Sequence, residues 1–232
     1  MKYKSNLVCP DLSPMFSLLD PPMQHCGHDI PSDPEYDPGC GFWSHDEAAI
    51  LYHVAQKVGG KWLDIGARFG WTASHIAAAD GFVHAIDPHF CTREYRHRFK
   101  ENTKGREKQI MMLPWTSDEF FNLWRGQRYD GVVIDGNHDA PEPLKDAQNS
   151  VLRLKPSGVI LFHDFQGKPT RDAVNWLIDS GFKCRIYWTP NLVALCWRGE
   201  KFTPPDHQGD SKIDWGPHKL EMEKDFAFER TV

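Results

Sequence analysis

The sequence predicts an α/β fold around a mostly parallel sheet, and three observations carry that reading. From Gly41 to about Arg198, short β-branched and apolar runs alternate with amphipathic stretches, the pattern of successive βα units. The apolar runs Lys61–Ile65 and Gly131–Ile134 each lead into a glycine turn, at Gly66 and Gly136. The chain has 232 residues, 40% hydrophobic and 25% charged, which is enough apolar material for one sizeable core.

The elements follow in order. Ser44 and Glu47 make a capping box for a first helix over Asp46–Lys57. Strand one is Lys61–Ile65, and a helix from Trp71 to Ala79 stops at Asp80-Gly81. Strand two is Phe82–Ile86, a charged helix covers Arg93–Asn102, strand three is Ile110–Leu113, and Ser117–Trp124 is a short helix. Strand four, Gly131–Ile134, precedes a helix over Pro141–Leu154, where a proline at the start costs no hydrogen bond. Strand five is Val159–Phe162, the last helix is Thr170–Ser180, and Cys184–Trp188 and Leu192–Trp197 form a hairpin through Thr189-Pro190-Asn191.

Seven of the 17 prolines fall within residues 1–40, so this segment is expected to be an arm without a core of its own, placed to act as a lid over the sheet. The α/β domain is assigned to 41–199, and 200–232 reads as a polar extension. Lys plus Arg is 27 against Asp plus Glu 32, a net charge of −5, which gives no basic field for nucleic acid. No apolar run approaches the length of a membrane span, and no signal-peptide core follows the first lysines. The six cysteines include no Cys-x-x-Cys, so they are expected to be reduced thiols in a cytoplasmic protein. Cys26 with His25 and His28 lacks the second ligand pair of a zinc site and reads as loop. Oligomerisation is left open.

The chemistry gathers at strand ends. Leu63-Asp64-Ile65-Gly66-Ala67-Arg68-Phe69-Gly70-Trp71 is strand, turn and helix start, where an open α/β sheet receives an anionic or nucleoside ligand. Asp87 ends strand two 21 residues beyond Gly66 and is placed to accept both hydroxyls of a ribose. Arg68 stands where a dinucleotide-binding turn would place its second glycine, which disfavours NAD. Strand four ends in Asp135-Gly136-Asn137-His138 and strand five in His163-Asp164, so Asp135 and Asp164 should meet at one sheet edge. Two carboxylates converging there call for a cation or a proton between them. Of the nine tryptophans, Trp43, Trp71 and Trp115 lie at junctions facing that edge, while Trp62, Trp176, Trp188 and Trp197 are expected in the core.

Asp64 to Gly70, Asp87 and the closing hairpin resemble a class I S-adenosylmethionine-dependent methyltransferase over residues 42–198. The resemblance implies a Rossmann-like seven-stranded sheet with helices on both faces and an antiparallel last strand. It also implies that Asp64 belongs to the cofactor site, that Gly66, Ala67 and Gly70 face the methionine part and Asp87 the ribose, and that Trp115, Thr116 and Ser117 lie near the adenine. The second half resembles the metal-dependent small-molecule O-methyltransferases, chiefly the macrolide-sugar enzymes, with catechol O-methyltransferase more distant. That likeness implies Asp135 beside the cofactor, a divalent metal at Asp135, His163 and Asp164, and His138 as general base toward a hydroxyl of a sugar-bearing or aromatic small molecule. His163 departs from the family's acidic pair. An imidazole suits Mn²⁺, Fe²⁺ or Zn²⁺ better than Mg²⁺, so either the metal differs or His163 turns away. A metal-independent methyltransferase, an NAD-dependent oxidoreductase and a non-catalytic cofactor-binding protein are the rival readings.

Overall fold

Alternation along the strands decides which side of the sheet each residue serves. In β1 (Lys61–Ile65), Trp62 joins one apolar core while Leu63 and Ile65 join the other. β4 (Tyr129–Ile134) sets Val133 against Val132 and Ile134, and β5 (Leu154–Phe162) sets Leu161 against Ile160 and Phe162. Strands apolar on both faces must be covered on both, as in the interior of a parallel sheet. α1 (His45–Val58) and α2 (Trp71–Ala78) bring Ile50, Leu51, Val54 and Ile76 to the first core. α5 (Glu142–Arg153) and α6 (Lys168–Asp179) bring Ala147, Val174 and Leu177 to the second.

The structure is a computed structural model and describes residues 6–12, 15, 43–208 and 214–232. With β2 (Phe82–Ile86), β3 (Ile110–Leu113), β6 (Lys183–Tyr187) and β7 (Val193–Trp197), the described residues form one seven-stranded sheet in the order β3-β2-β1-β4-β5-β7-β6. β1 pairs in parallel with both β2 and β4, β4 with β5, and β2 with β3, whereas β7 runs antiparallel to β5 and β6. The strand order reverses between β1 and β4, so the loops leaving their carboxyl ends diverge and open a crevice. α3 (Arg93–Asn102), α4 (Ser117–Leu123) and α7 (Gly216–Met222) complete the helices, and a short 3₁₀ turn at Pro88–Cys91 follows β2.

The expected boundaries of β1, β2, β3 and α3 are those observed. β5 begins earlier than expected, at Leu154, because Leu154 pairs with Tyr129 across a register shift before the main ladder starts at Val159. The extension 200–232 is not only polar: Met222 and Phe226 are buried in the second core, and Asp225 pairs with Arg171 of α6. At the other end Leu12 is buried in the first core, and His53 of α1 meets the Val8 carbonyl at 2.8 Å. The rest of the 1–40 arm, its lid role and the Cys26, His25 and His28 cluster lie outside the described residues. Cys9, Cys91, Cys184 and Cys196 are free thiols. Among the described residues no helix is long and apolar enough to cross a membrane.

Candidate active site

The crevice is a cavity of about 820 Å³, within the range of roughly 300–1,000 Å³ usual for small-molecule sites. Gly66 and Ala67 after β1, Asp87 after β2, Thr116 and Ser117 after β3, and Asp135 after β4 all line it. Gly66 has φ +85°, and a Cβ there would stand 2.1 Å from the Asp135 carbonyl oxygen, so only glycine lets these two loops touch. Asp87 is held in place from behind: Arg68 N–H donates to one carboxylate oxygen at 2.9 Å and His89 N–H to the other at 2.8 Å.

Two residues expected at the cofactor do not line the cavity. Asp64 lies fully buried beneath it and accepts the Thr72 hydroxyl at 2.6 Å; burial pushes its carboxyl up to about 7, with the charges of Asp135 and Asp87 adding to the rise. Gly70 heads α2 at φ +88°, where an added Cβ would meet Thr103 at 2.7 Å and Phe99 of α3 at 3.0 Å, so the turn and its closeness to α3 both call for glycine. Trp43, Trp71 and Trp115 do line the cavity, while Trp62 and Trp197 are buried in the core and Trp176 and Trp188 are only partly buried at its edge.

At the β4 and β5 end the parallel register Ile134↔Phe162 brings Asp135 and Asp164 together. Asp135, His138 and Asp164 each offer a donor atom within 4.8 Å of the others, and among the described residues this is the group able to hold a metal ion. His138 Nε2 is 3.2 Å from Asp164 Oδ2 and 3.7 Å from Asp135 Oδ1, with the imidazole 46% exposed toward the cavity. His163 is different. It is fully buried and does not line the cavity, yet its Nδ1 is 3.2 Å from both Asp135 Oδ1 and Asp164 Oδ2. Its Nε2 is 3.3 Å from Glu47 Oε2, and its ring stacks on Trp43 at 4.7 Å. Burial opposes a charge on this imidazole, but Asp164 and Asp135 outweigh it and hold the pKa well above the ordinary value. Two carboxylates and imidazole nitrogens are a mixed donor set that fits a first-row divalent metal.

Sequence reasoning missed Glu47 as a site residue. Its place in the α1 capping box, with Ser44 N–H donating to Oε2 at 2.7 Å, already accounts for it in the sequence. The contacts with His163 and with Asn191, whose N–H donates to Oε1 at 2.8 Å, span 116 and 144 residues and leave no local signal.

Residues 63–165 match the family model of a methyltransferase domain. Solved structures share the fold. The O-methyltransferase TomG of Streptomyces achromogenes, involved in tomaymycin synthesis and bound to S-adenosylmethionine, is 17% identical with a TM-score of 0.53, over 66% of this chain and 80% of that one. A Bacillus cereus O-methyltransferase in complex with S-adenosylhomocysteine is 13% identical with a TM-score of 0.55, over 71% of this chain and 84% of that one. A Podospora anserina methyltransferase bound to S-adenosylhomocysteine is 12% identical with a TM-score of 0.56, over 66% and 78%. No curated protein matches the sequence significantly. Strand order, crevice and family model together define a domain with the fold of the class I S-adenosylmethionine-dependent methyltransferases.

Proposed function

We propose that the protein is an S-adenosylmethionine-dependent O-methyltransferase acting on a hydroxyl of a small molecule. The observation that carries this reading is one cavity lined both by Asp87 and by the Asp135, His138 and Asp164 cluster. Asp87 would hold the cofactor ribose, Gly66 and Ala67 its methionine part, and Thr116 and Ser117 its adenine, all of them residues that line the cavity. Methyl transfer from a sulfonium is an in-line displacement, so the protein's work is to align the acceptor oxygen and remove its proton. His138 faces the cavity and takes that proton; Asp164, 3.2 Å from its Nε2, orients the ring and stabilises the imidazolium that forms. A divalent cation held by Asp135 and Asp164 would polarise the acceptor hydroxyl. Trp43 and Trp71 give the cavity aromatic walls that suit a sugar or aromatic ring.

Calorimetry with S-adenosylhomocysteine and with NAD tests the cofactor half of this reading. Binding of the former at low micromolar Kd, roughly −8 kcal/mol, with none of the latter is expected; the reverse overturns the proposal. Acceptor hydroxyls are then screened by release of S-adenosylhomocysteine.

A further inference from the structure

Glu47 is fully buried, and its oxygens accept from Ser44 N–H at 2.7 Å, Asn191 N–H at 2.8 Å and Asn191 Nδ2 at 3.3 Å. A carboxylate so surrounded by donors is an acceptor only, so the Nε2 of His163 at 3.3 Å must carry a hydrogen toward it. That places the opposite nitrogen, Nδ1, against Asp135 Oδ1 and Asp164 Oδ2 at 3.2 Å from each. Either a proton on Nδ1 or a metal cation in its place must lie between these three atoms, and His138 Nε2, 3.2 Å from Asp164 Oδ2, borders the same point. The remaining carboxylate oxygens have their own donors. Asp135 Oδ2 takes the Trp43 indole N–H at 2.8 Å, and Asp164 Oδ1 takes Gln166 Nε2 at 2.9 Å, which turns Oδ1 of the first and Oδ2 of the second toward His163.

We propose that Glu47 is a positioning residue that fixes His163 with Nδ1 toward the Asp135 and Asp164 pair, and that the resulting imidazole-bearing centre selects Mn²⁺, Fe²⁺ or Zn²⁺ over Mg²⁺. A metal-ligating histidine commonly donates its second N–H to a carboxylate, which sets the tautomer and the ring direction. Imidazole nitrogen favours the later first-row metals, whereas Mg²⁺ demands oxygen. The two histidines thereby divide the work: His163, walled off from the cavity, serves the cation, and His138, lining the cavity, is left to the acceptor. Stacking on Trp43 and the span from α1 to the β6–β7 loop through Asn191 keep the His163 ring from swinging. The inference rests on the cation site proposed above.

The test uses the full chain, stripped with a chelator, and reads metal binding by calorimetry with Mn²⁺, Zn²⁺ and Mg²⁺ and by the Mn²⁺ paramagnetic resonance spectrum. Wild type is expected to bind Mn²⁺ at least tenfold more tightly than Mg²⁺, with nitrogen coupling in the spectrum. His163→Asp should reverse the preference toward Mg²⁺. Glu47→Gln, which cannot accept from Nε2 as a carboxylate does, should weaken Mn²⁺ about 10-fold to 100-fold. S-adenosylhomocysteine affinity is measured on each variant as the check on folding. Stripped wild type that binds no divalent ion, or prefers Mg²⁺, overturns the inference and leaves a proton on His163 as the bridge between the carboxylates. A Glu47→Gln variant that binds Mn²⁺ within threefold of wild type also overturns it. If Glu47→Gln does not fold, the wild-type preference and the His163→Asp reversal decide. Failure to bind S-adenosylhomocysteine sinks the methyltransferase reading alone and leaves the metal result standing.

Discussion

Trp43 Nε1–H donates to Asp135 Oδ2 at 2.8 Å while the same indole stacks on His163 at 4.7 Å, so one side chain fixes both the carboxylate that ends β4 and the imidazole that ends β5. Trp43 precedes α1 and is buried, so this link ties the helix entry to the sheet edge.

Trp43→Phe keeps much of the stack and removes the N–H. The expected cost is about 1–3 kcal/mol of stability, because a charged acceptor loses its donor in a buried setting. Denaturant melts measure it, and S-adenosylhomocysteine affinity should change less than threefold, since the residues proposed to hold the cofactor, Gly66, Ala67, Asp87, Thr116 and Ser117, lie on other loops. An unchanged melt would show that the indole bond contributes nothing.

Asp87→Ala should weaken S-adenosylhomocysteine at least tenfold, about 1.4 kcal/mol or more, by removing the acceptor for the ribose hydroxyls. Asp87 also accepts the His89 N–H that opens the 3₁₀ turn, so Asp87→Asn, which keeps one acceptor oxygen, separates the two roles. Calorimetry on both variants is decisive: if Asp87→Ala binds like wild type, the ribose lies elsewhere.

Gly66→Ala should be among the most damaging single-methyl changes in the chain. The new Cβ would meet backbone of Asp135 at 2.1 and 2.6 Å, in a conformation of φ +85° that L residues avoid. A loss of about 3 kcal/mol or more is expected, with weakened cofactor binding as the two loops separate. Gly105→Ala is the control: its φ is +84°, but nothing lies within 4 Å of the added atom, so only the backbone preference, about 1–2 kcal/mol, is lost. Equal melting of the two variants would show that the contact between the loops is not tight.

The sheet was legible in the sequence because its signals are local. Gly59-Gly60 and Gly66 bracket β1, Asp80-Gly81 precedes β2, and alternation sorts Trp62 from Leu63. Strand adjacency then brought Asp135 and Asp164 together without any further information. What escaped notice is tertiary. Glu47 looked complete as a capping residue, the closeness of Gly70 to α3 is invisible in its own neighbourhood, and Lys155-Pro156-Ser157-Gly158, left outside the expected strand, carries the start of β5. Leu12 carried no periodic partner to announce its burial.

Asp64 gives a pH signature. Its folded carboxyl titrates at about 7 against an ordinary value of 3.8, so between those limits the folded state keeps a proton that the unfolded chain releases. Stability therefore falls as pH rises from about 4 to 7, by at most about 1.4 kcal/mol per unit from this group. Asp64→Asn keeps an acceptor for the Thr72 hydroxyl and removes the titration. Denaturant melts at pH 5 and pH 7.5 should show the variant gaining on wild type at the higher pH. If the difference between them is the same at both, Asp64 is not the group responsible.

The amino-terminal segment should prove to be part of the folded domain and not an inert tail. Leu12 is 5% exposed within the core cluster that holds Ile50 and Val54, and Asn6 Nδ2 donates to the Asp206 carbonyl at 2.9 Å, clipping this segment to the stretch that follows β7. Emptying a buried leucine site costs about 2–5 kcal/mol through lost transfer energy and the cavity left behind. Leu12→Ala is therefore expected to lower the denaturation midpoint clearly, and removal of residues 1–15 to lower it further through the lost bond to His53. Val8→Ala, at a side chain 77% exposed, should stay within about 0.5 kcal/mol of wild type. Cofactor affinity should hold in the two point variants at temperatures below the melt, because neither Leu12 nor Val8 lines the cavity. Were the truncated protein to melt with the wild-type midpoint, Leu12 would not be contributing to the core, and the cavity-forming domain would begin at the residues leading into α1.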